Sequence, residues 1–545
     1  MLPQASDYAG AARSWRQDLF AGITVGIVAL PLALAFGVSS GVGAAAGLVT
    51  AVIAGIVAAV FGGSHVQVSG PTGAMVVVLA PIVATHGPGM VAMLAVLAGI
   101  VLVLVGASRL GRAVGYIPWP VVEGFTVGIG IIIFLQQVPL AVAVDAVHGE
   151  NTVLAAWDAI MAAEYPSAFA SLAVVVIVAV LMLLLPRIHR ALPASLIAIV
   201  VATFVVTLFG LDVPRLGVLP DSLPTPALPS LELSALPTLV GPIIAIVALA
   251  GIESLLSARV ASGLPGPGGS TTGPYHPDRE LVGQGLASIA AGLFGGMPAT
   301  GAIARTAVNV RSGARTRLAA ITHALVLLAV VYLASGLVGQ IPLAALAGVL
   351  MVTAARMVSV PVGRRVLGST RSDAFSYLLT AVITVAFDLI VAIEIGIVCA
   401  ALLTLWKFAR LGSVRMEPIP GPAHDGDERI AIFRLDGLMF FGVAERLLKE
   451  MTQVGDTEVV VLRLSQLRYL DATGAQALVE VVRDLEQQGV TVLLKGVREE
   501  HLALVERVGV VRQLRHHKHF FDDLDAAVAH ARSHVRRNAI AREAN

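Results

Sequence analysis

The chain has 545 residues, of which 57% are hydrophobic and 13% are charged, and its formal net charge at pH 7 is +1. Because a soluble domain carries about 25% charged residues, most of this chain must lie in lipid. The near-zero charge gives no indication of nucleic-acid binding. The single cysteine, Cys399, excludes a disulfide framework and a metal cluster, so we predict no metal site and no cofactor.

Residues 1–17 are polar and lack the apolar core of a signal peptide, so we expect a cytoplasmic N-terminal segment. Apolar stretches then follow one another and predict a transmembrane domain at 18–411. Stretches of about 20 residues cross a bilayer as helices. Twelve are long enough, at 18–38, 42–62, 90–107, 117–138, 167–186, 192–210, 238–260, 280–297, 317–339, 341–358, 373–390 and 391–411, and two are short, at 71–84 and 301–312.

The two short helices begin at similar sequences, SGPTGAM at 69–75 and MPATGAI at 297–303. Half-helices interrupted by Gly and Pro at matching places in two halves of a chain indicate the substrate site of a transporter. Their N-termini carry free N–H groups and the positive end of the helix dipole, which suit an anion. We therefore predict an anion site at the two Thr-Gly turns, formed by Thr72, Gly73, Thr300, Gly301 and Ala302.

Basic residues in short loops predict the orientation of the spans. If the N-terminus is cytoplasmic, the ends of even-numbered spans are too, and they carry Arg109, Arg112, Arg187, Arg190, Arg311, Arg315, Arg317, Arg364, Arg365, Arg371, Lys407 and Arg410. The two half-helices then run in opposite directions. This predicts an α-helical polytopic protein of 14 transmembrane segments, arranged as an inverted repeat of seven plus seven.

Two charged residues lie near the predicted anion site. Glu253 is deep in span eight, where a carboxylate is costly unless it faces a cavity with a polar partner. We expect it to carry the coupling ion together with Ser257, one turn later on the same face; the alternative is a structural glutamate. Arg305, in the second half-helix, is predicted to supply a positive charge to the substrate, unless it extends out of the pocket. For Thr72 and Thr300 the alternative role is helix capping.

Two further features of the membrane part leave alternatives open. Pro31, inside span one, frees a carbonyl and is expected to bend the helix, with the bend facing the half-helices. That bend makes Phe36 a candidate wall of the substrate pocket, with plain packing as the alternative. Asp388 and Glu394 flank the turn before the last span, and the sequence does not decide between gating and packing.

The composition changes near residue 412, after which charged residues are frequent. The frequent prolines and glycines of residues 412–427 predict a linker. Residues 428–545 alternate strand-like and helix-like segments, which predicts an α/β domain in the cytoplasm. Within it, Thr473 in the sequence DATG (471–474) falls at a strand-to-helix turn.

The membrane part resembles the sulfate permease family of anion transporters, solute carrier family 26, in the segments 22–41, 61–78, 251–263, 280–319 and 341–352. The resemblance implies a core of spans one to four and eight to eleven and a gate of spans five to seven and twelve to fourteen. It also implies an elevator-type movement of the core, a homodimer, and a place in the inner (cytoplasmic) membrane of the cell.

The tail resembles the sulfate transporter and anti-sigma-factor antagonist domain that usually ends members of this family. Its DATG turn is similar to a turn that is phosphorylated in soluble anti-sigma antagonists. The resemblance makes Thr473 a candidate regulatory phosphorylation site, with capping of the following helix as the alternative.

The predicted function is secondary active transport of a small anion, with sulfate as the family's usual substrate and a proton as the coupling ion. No enzyme motif is present. Cyanobacterial sodium-coupled bicarbonate transporters of the family carry Asp and Thr where this chain has Glu253 and Ser257, and lack an arginine matching Arg305. A bicarbonate or C4-dicarboxylate transporter, coupled to sodium or protons, is the alternative. A nucleobase carrier of the same architecture is a different class, but it typically has a carboxylate where span ten has Arg305.

Overall fold

The structure is a computed structural model. It describes residues 3–543 except 9, 112–117, 145–151, 166, 190–191, 230–235, 267–272, 387–394, 396–397, 400, 404, 406–412, 440–455 and 517. Asp388, Glu394, most of the predicted span 391–411, and the basic residues Arg112, Arg190, Lys407 and Arg410 lie outside the described residues. The chain divides into two compact units, Met1–Val398 and Cys399–Asn545.

The first unit is built from helices, because a helix satisfies its own backbone hydrogen bonds in lipid. The helices are α1 (Ala11–Ser39), α2 (Ala44–Phe61), α3 (Gly73–His86), α4 (Gly89–Ala107), α5 (Trp119–Gln136), α6 (Val138–Ala141), α7 (Thr152–Ala162), α8 (Ser167–Ile188), α9 (Ala194–Leu208), α10 (Leu236–Gly263), α11 (Pro277–Leu293), α12 (Ile303–Arg311), α13 (Arg317–Val338), α14 (Leu343–Met357), α15 (Val360–Leu367) and α16 (Arg371–Ala386). Each predicted stretch from the first to the thirteenth overlaps one of these helices. Helices α7 and α15 lie outside the predicted stretches.

Eight helical segments in the described part of the chain are long and apolar enough to cross a membrane: Ala11–Ser39, Ala44–Phe61, Gly89–Ala107, Trp119–Ala141, Ala168–Ile188, Pro237–Gly263, Arg317–Val338 and Leu343–Leu367. Three further apolar helices are shorter, Gly73–His86, Thr152–Ala162 and Ala194–Leu208. The first unit is therefore a helical membrane-spanning domain, and the total of fourteen spans stays a prediction.

Glycines bring α4 and α11 into close contact. A Cβ added to Gly99 would lie 2.6 Å from the carbonyl oxygen of Gly285, and one added to Gly285 would lie 2.6 Å from the carbonyl oxygen of Gly99. Small residues of this kind let backbones approach in a membrane, where van der Waals packing rather than exclusion of water holds helices together. This pair positions α11, which supports the site described below.

Charged residues fasten the N-terminal part of the first unit. A 3-10 helix, Ala5–Tyr8, precedes α1, and the Asp7 carboxylate lies 2.7 Å from the Arg279 guanidinium on α11. The hydrogen bond with Arg279 lowers the pKa of Asp7 to about 2. Arg317, one of the residues that predicted the orientation, is buried and donates hydrogen bonds of 2.7 Å to the carbonyls of Ala59 and Gly62 at the end of α2.

In its described residues the second unit contains a mixed β-sheet and four α-helices. The strands are β3 (Ser413–Glu417), β4 (Ile430–Met439), β5 (Val459–Arg463), β6 (Leu467–Leu470), β7 (Thr491–Lys495) and β8 (Phe520–Phe521). Their order is β3-β4-β5-β7-β8, with β6 also paired to β4, and every pairing is parallel except β3 with β4. The helices are α17 (Ala472–Gln487), α18 (Glu499–Val508), α19 (Val510–Gln513) and α20 (Leu524–Glu543).

Alternating side chains give this sheet a core on each face. On one face Val460 and Leu462 belong to the cluster that includes Leu478 and Val482 of α17. On the other face Val459 and Val461 pack in a cluster with α20. The predicted α/β domain is confirmed. Strand β3 lies inside the predicted linker 412–427, where the glutamate Glu417 binds Arg434 at 2.9 Å and Arg463 at 2.8 Å.

Asp471 caps the N-terminus of α17. Its Oδ1 accepts a hydrogen bond of 2.7 Å from the backbone N–H of Gly474, and Asp471 is the N-cap residue. Thr473 is exposed in the first turn of the helix. Capping, the alternative role for Thr473, therefore belongs to Asp471, because the residue before the first helical position faces the free N–H groups.

Asp471→Ala should destabilise α17 by about 1 kcal/mol through loss of this cap. Hydrogen–deuterium exchange of the peptide covering 472–487 in the full-length protein should become roughly fivefold faster where exchange occurs through opening of the helix. Thr473→Ala is the matched control in the same turn and should leave the exchange rate nearly unchanged. Equal acceleration by the two substitutions would contradict the assignment of the cap.

Candidate functional site

The two half-helices start from one small sheet. Strand β1 (Ser69–Gly70) pairs antiparallel with β2 (Thr300–Gly301), with Ser69 opposite Gly301 and Gly70 opposite Thr300. Helix α3 follows β1 and α12 follows β2. The Thr-Gly turns, about 230 residues apart in sequence, are therefore in direct contact, and the N-termini of α3 and α12 lie at the same place in the first unit. The first N–H groups of each helix have no partner within the helix.

Polar side chains around this sheet fix its position. Ser254 on α10 accepts from the Gly301 N–H at 2.9 Å, and the side-chain amide of Gln67 donates to the Ser254 carbonyl at 3.2 Å. The Ala302 N–H donates to the Val68 carbonyl at 2.8 Å. These bonds attach both half-helices to α10, and sequence analysis did not identify Gln67 or Ser254. Ser254 directly follows Glu253 in an apolar span, and Gln67 lies between two valines shortly before the first Thr-Gly turn.

Glu253 is the centre of the site. The hydroxyls of Thr72 and Thr300 lie 2.8 Å each from the same carboxylate oxygen, Oε2 of Glu253. The two hydroxyl oxygens are 3.1 Å apart. Both threonines are buried, whereas Glu253 is partly exposed. The structure thus brings together one carboxylate from α10 and one hydroxyl from each Thr-Gly turn.

The threonines do not serve as side-chain caps. Thr72 is the N-cap residue of α3 by position, but its side chain makes no capping hydrogen bond. The N-cap residue of α12 is Ala302 rather than Thr300. The hydroxyls of Thr72 and Thr300 instead face the carboxylate, because Glu253 inside an apolar surrounding requires donors.

Arg305 lies in the first turn of α12 and is 2% exposed. Its Nη2 donates to the carbonyl oxygen of Pro71 at 2.5 Å, and its Nη1 is buried without a hydrogen-bond partner among the described residues. A Cβ added to Gly70 would lie 2.9 Å from Nη1. Arg305 therefore sits inside the protein behind the two turns, where its charge acts on them through a medium that screens little.

Of the other predicted residues, Phe36, Gly73 and Gly301 lie at the starts of the two half-helices, and Ser257 is fully buried. A Cβ added to Gly73 would lie 3.5 Å from the ring of Phe36 and would collide with Ile133, so Phe36 borders the start of α3. A Cβ added to Gly301 would collide with the side chain of Gln67. Ser257 is placed differently from the prediction: its hydroxyl donates to Thr306 at 3.0 Å and is fully buried.

A second buried carboxylate supports the small sheet. Glu280 on α11 accepts from the backbone N–H groups of Gly63 at 2.8 Å and Ser64 at 3.0 Å. Its other oxygen accepts from Gln284 at 2.8 Å, and Gln284 also donates to the hydroxyl of Ser69 in β1 at 2.6 Å. Glu280 and Gln284 were not predicted. Glu280 lies at the start of the predicted span 280–297, where the sequence does not distinguish it from an ordinary loop residue.

Interrupted helices that meet at a polar centre in a helical membrane domain are typical of a membrane transport protein. The family described as "Sulfate permease family" matches residues 15–380, and the STAS domain matches 422–527. The chain therefore belongs to the sulfate permease family and carries a C-terminal STAS domain. The family assignment excludes the nucleobase carrier and places the protein among transporters rather than enzymes.

Individual relatives agree with this assignment over nearly the whole chain. YvdB of Bacillus subtilis, whose name assigns it provisionally to sulfate transport, is 31% identical and covers 94% of this chain and 97% of its own length. The bicarbonate transporter BicA of Synechocystis is 32% identical, with coverage of 92% and 91%. The murine anion transporter Slc26a9 in its inward-facing state shares the fold, with a TM-score of 0.83 at 16% identity and coverage of 95% and 91%.

Thr306 accepts two hydrogen bonds next to the site, and its replacement should lower the thermal stability of the first unit. Its hydroxyl oxygen accepts from the backbone N–H of Val68 at 3.0 Å and from Ser257 at 3.0 Å. Thr306→Val keeps the shape but leaves two buried donors without a partner, at about 1–3 kcal/mol each. We expect a lower thermal midpoint in detergent, measured by size-exclusion chromatography after heating.

The matched control is Ser257→Ala, which removes one of the two donors and leaves the Val68 N–H satisfied. It should lower the midpoint much less than Thr306→Val. If the two substitutions have the same effect, the oxygen of Thr306 does not support the start of α12 in this way.

Proposed function

We propose that the protein is a secondary active transporter of a small anion, with sulfate as its first candidate substrate. The observation that carries the proposal is the meeting of Thr72, Thr300 and Glu253 between the N-termini of two half-helices. An anion in this position faces unpaired N–H groups and two positive dipole ends. The proposed binding residues are Phe36, Thr72, Gly73, Thr300, Gly301, Ala302 and Arg305.

The N–H groups available to an anion are those of the first helical residues. The N–H groups of Gly301 and Ala302 are already bonded to Ser254 and Val68. In our proposal Gly301 and Ala302 therefore shape the turn, while the first N–H groups of α3 and α12 contact the anion. Arg305 contributes its charge from behind the turns rather than by a direct ion pair.

We propose a proton as the coupling ion, carried by Glu253. Three oxygen–oxygen contacts join Thr72, Thr300 and Glu253, but the two hydroxyls supply only two protons. A proton on Oε2 of Glu253 provides the third donor and closes the ring of hydrogen bonds. It also removes a negative charge next to the incoming anion, so proton and anion bind together. Ser257 acts indirectly in this proposal, by holding Thr306.

The relatives also support a second candidate substrate. BicA is a bicarbonate transporter, and its identity to this chain equals that of YvdB within one percentage point. Bicarbonate, or a C4-dicarboxylate, coupled to sodium or protons, is therefore the alternative. The three oxygens that a proton would bridge are also ligands of the type a sodium ion prefers, so coupling and substrate must be measured together.

The architecture and location of the transporter are part of the proposal. We infer fourteen spans in two inverted sets of seven, a core that moves as an elevator against the gate, and a homodimer in the inner membrane of the cell. The short helices α3 and α12 support the inverted repeat. We place the N-terminal segment and the STAS domain in the cytoplasm. Thr473, exposed beside Asp471, is proposed as a regulatory phosphorylation site.

Arg305→Ala should weaken transport by removing the fixed charge behind the turns. A fixed charge acting at short range in this weakly screened position, worth about 1.4–2.8 kcal/mol, corresponds to a roughly ten- to hundredfold higher half-saturating anion concentration. The measurement is uptake of labelled sulfate, bicarbonate or fumarate into proteoliposomes. Arg311→Ala, at the exposed end of the same helix, is the control. Unchanged uptake by well-folded Arg305→Ala protein would exclude Arg305 from the site.

Glu253→Gln should separate anion exchange from proton coupling. Glutamine still accepts hydrogen bonds from the threonines but cannot release a proton. Counterflow of labelled anion should persist, while accumulation driven by an inward proton gradient should be lost. Glu123→Gln on α5, whose carboxylate accepts from Trp119 instead, serves as the control. Accumulation by Glu253→Gln under a pH gradient would exclude proton coupling through this residue.

A further inference from the structure

Three histidines of the second unit form a cluster that no part of the transport function uses. A ring nitrogen from each of His519, His530 and His534 lies within 4.8 Å of the others. The ring centroids are 5.4 Å apart for His519 and His530, 5.2 Å for His519 and His534, and 4.9 Å for His530 and His534. The Nε2 atoms of His530 and His534 are 3.3 Å apart.

The fold places these rings together from two elements. His530 and His534 are four residues apart on α20 and therefore lie on one face of the helix. His519 immediately precedes β8, and its carbonyl oxygen accepts from the Leu494 N–H on β7 at 2.8 Å. Ala527, Val528 and Ala531 pack α20 against the sheet. Packed backbone therefore brings the three side chains together, and the rings are left to adjust by side-chain rotation.

The cluster has the character of a ligand set. His519 is 3% exposed, and its Nδ1 has no partner in the part of the chain that the structure describes. An imidazole nitrogen is the commonest metal ligand in proteins, and a buried ring nitrogen without a hydrogen-bond partner is free to serve as one.

We propose that His519, His530 and His534 form a binding site for a divalent late transition metal ion, with Zn²⁺ as the expected ion. Tetrahedral Zn²⁺ with Zn–N bonds of about 2.0–2.1 Å holds its nitrogens roughly 3.3–3.4 Å apart. The separation between His530 and His534 already matches this value, and rotation of the third ring closes the remainder. Three protein ligands leave a fourth position for water or an anion.

The ligand chemistry determines which ions the site takes. Imidazole nitrogen suits Zn²⁺, Cu²⁺, Ni²⁺ and Co²⁺, whereas Mg²⁺ and Ca²⁺ require oxygen ligands. Arg515 and Arg537 act electrostatically on His534 and add positive charge. An ion must therefore bond strongly to nitrogen to bind here. Occupancy would tie the C-terminal helix α20 to the edge strand β8 and stabilise the second unit.

The expectation that no metal site is present rested on the single cysteine, which gives no information on histidine ligands. The spacing of His530 and His534 was visible in the sequence, but two histidines one helical turn apart on an exposed helix are common. The third ligand comes from a different element, and only the fold brings it close.

The test uses full-length protein in detergent, purified without a histidine tag and stripped with a chelator. Titration with Zn²⁺ against a chromophoric competitor should show one ion bound per chain, and Mg²⁺ should not compete. Co²⁺ should give the visible absorption of a tetrahedral site, and X-ray absorption of the Zn²⁺ form should show three imidazole ligands. Zn²⁺ should also raise the thermal midpoint of the second unit.

His530→Ala and His534→Ala, both half-buried positions, should each weaken Zn²⁺ binding by at least about tenfold. His424→Ala, an exposed histidine of the same unit outside the cluster, is the matched control and should bind as the unchanged protein does. Absence of stoichiometric Zn²⁺ binding in the unchanged protein would overturn the proposal. So would equal affinity in His534→Ala, or an X-ray absorption spectrum without imidazole ligands.

Discussion

The first unit depends on one constraint: a carboxylate placed deep among apolar helices must have hydrogen-bond donors. Glu253 obtains them from Thr72 and Thr300, each 2.8 Å from the same oxygen. Because these donors precede two different half-helices, satisfying one carboxylate also fixes the relation between the two halves of the chain. The small sheet of β1 and β2 completes this joint by pairing backbone that the interrupted helices leave free.

A set of buried polar groups surrounds this joint and supports it. Ser254 binds the Gly301 N–H, Thr306 binds the Val68 N–H, and Gln284 connects Ser69 to Glu280. Irregular backbone inside a membrane domain is stable only when each polar group has a partner in protein or in a polar cavity. Among these groups Glu253 is partly exposed, whereas its partners are buried.

The second unit follows different rules. Its stability comes from an alternating sheet with an apolar cluster on each face, one formed with α17 and the other with α20. Charged side chains lie between elements, as where Glu417 binds both Arg434 and Arg463. Burial of Glu417 opposes ionisation, but its hydrogen bonds with the two arginines outweigh that effect and lower its pKa.

The sequence by itself determined the features that depend on local composition and spacing. Apolar length predicted the helices, the repeated Thr-Gly turns predicted the half-helices, and a lone glutamate in an apolar span predicted a polar centre. Only the tertiary structure decided which groups meet. It directed the hydroxyls of Thr72 and Thr300 to Glu253, engaged Ser257 with Thr306, placed Arg305 behind the turns, and moved His519 next to α20. The physical reason is that hydrogen bonds between residues about 50 to 230 positions apart depend on how helices pack, and packing leaves no periodic pattern in a single sequence.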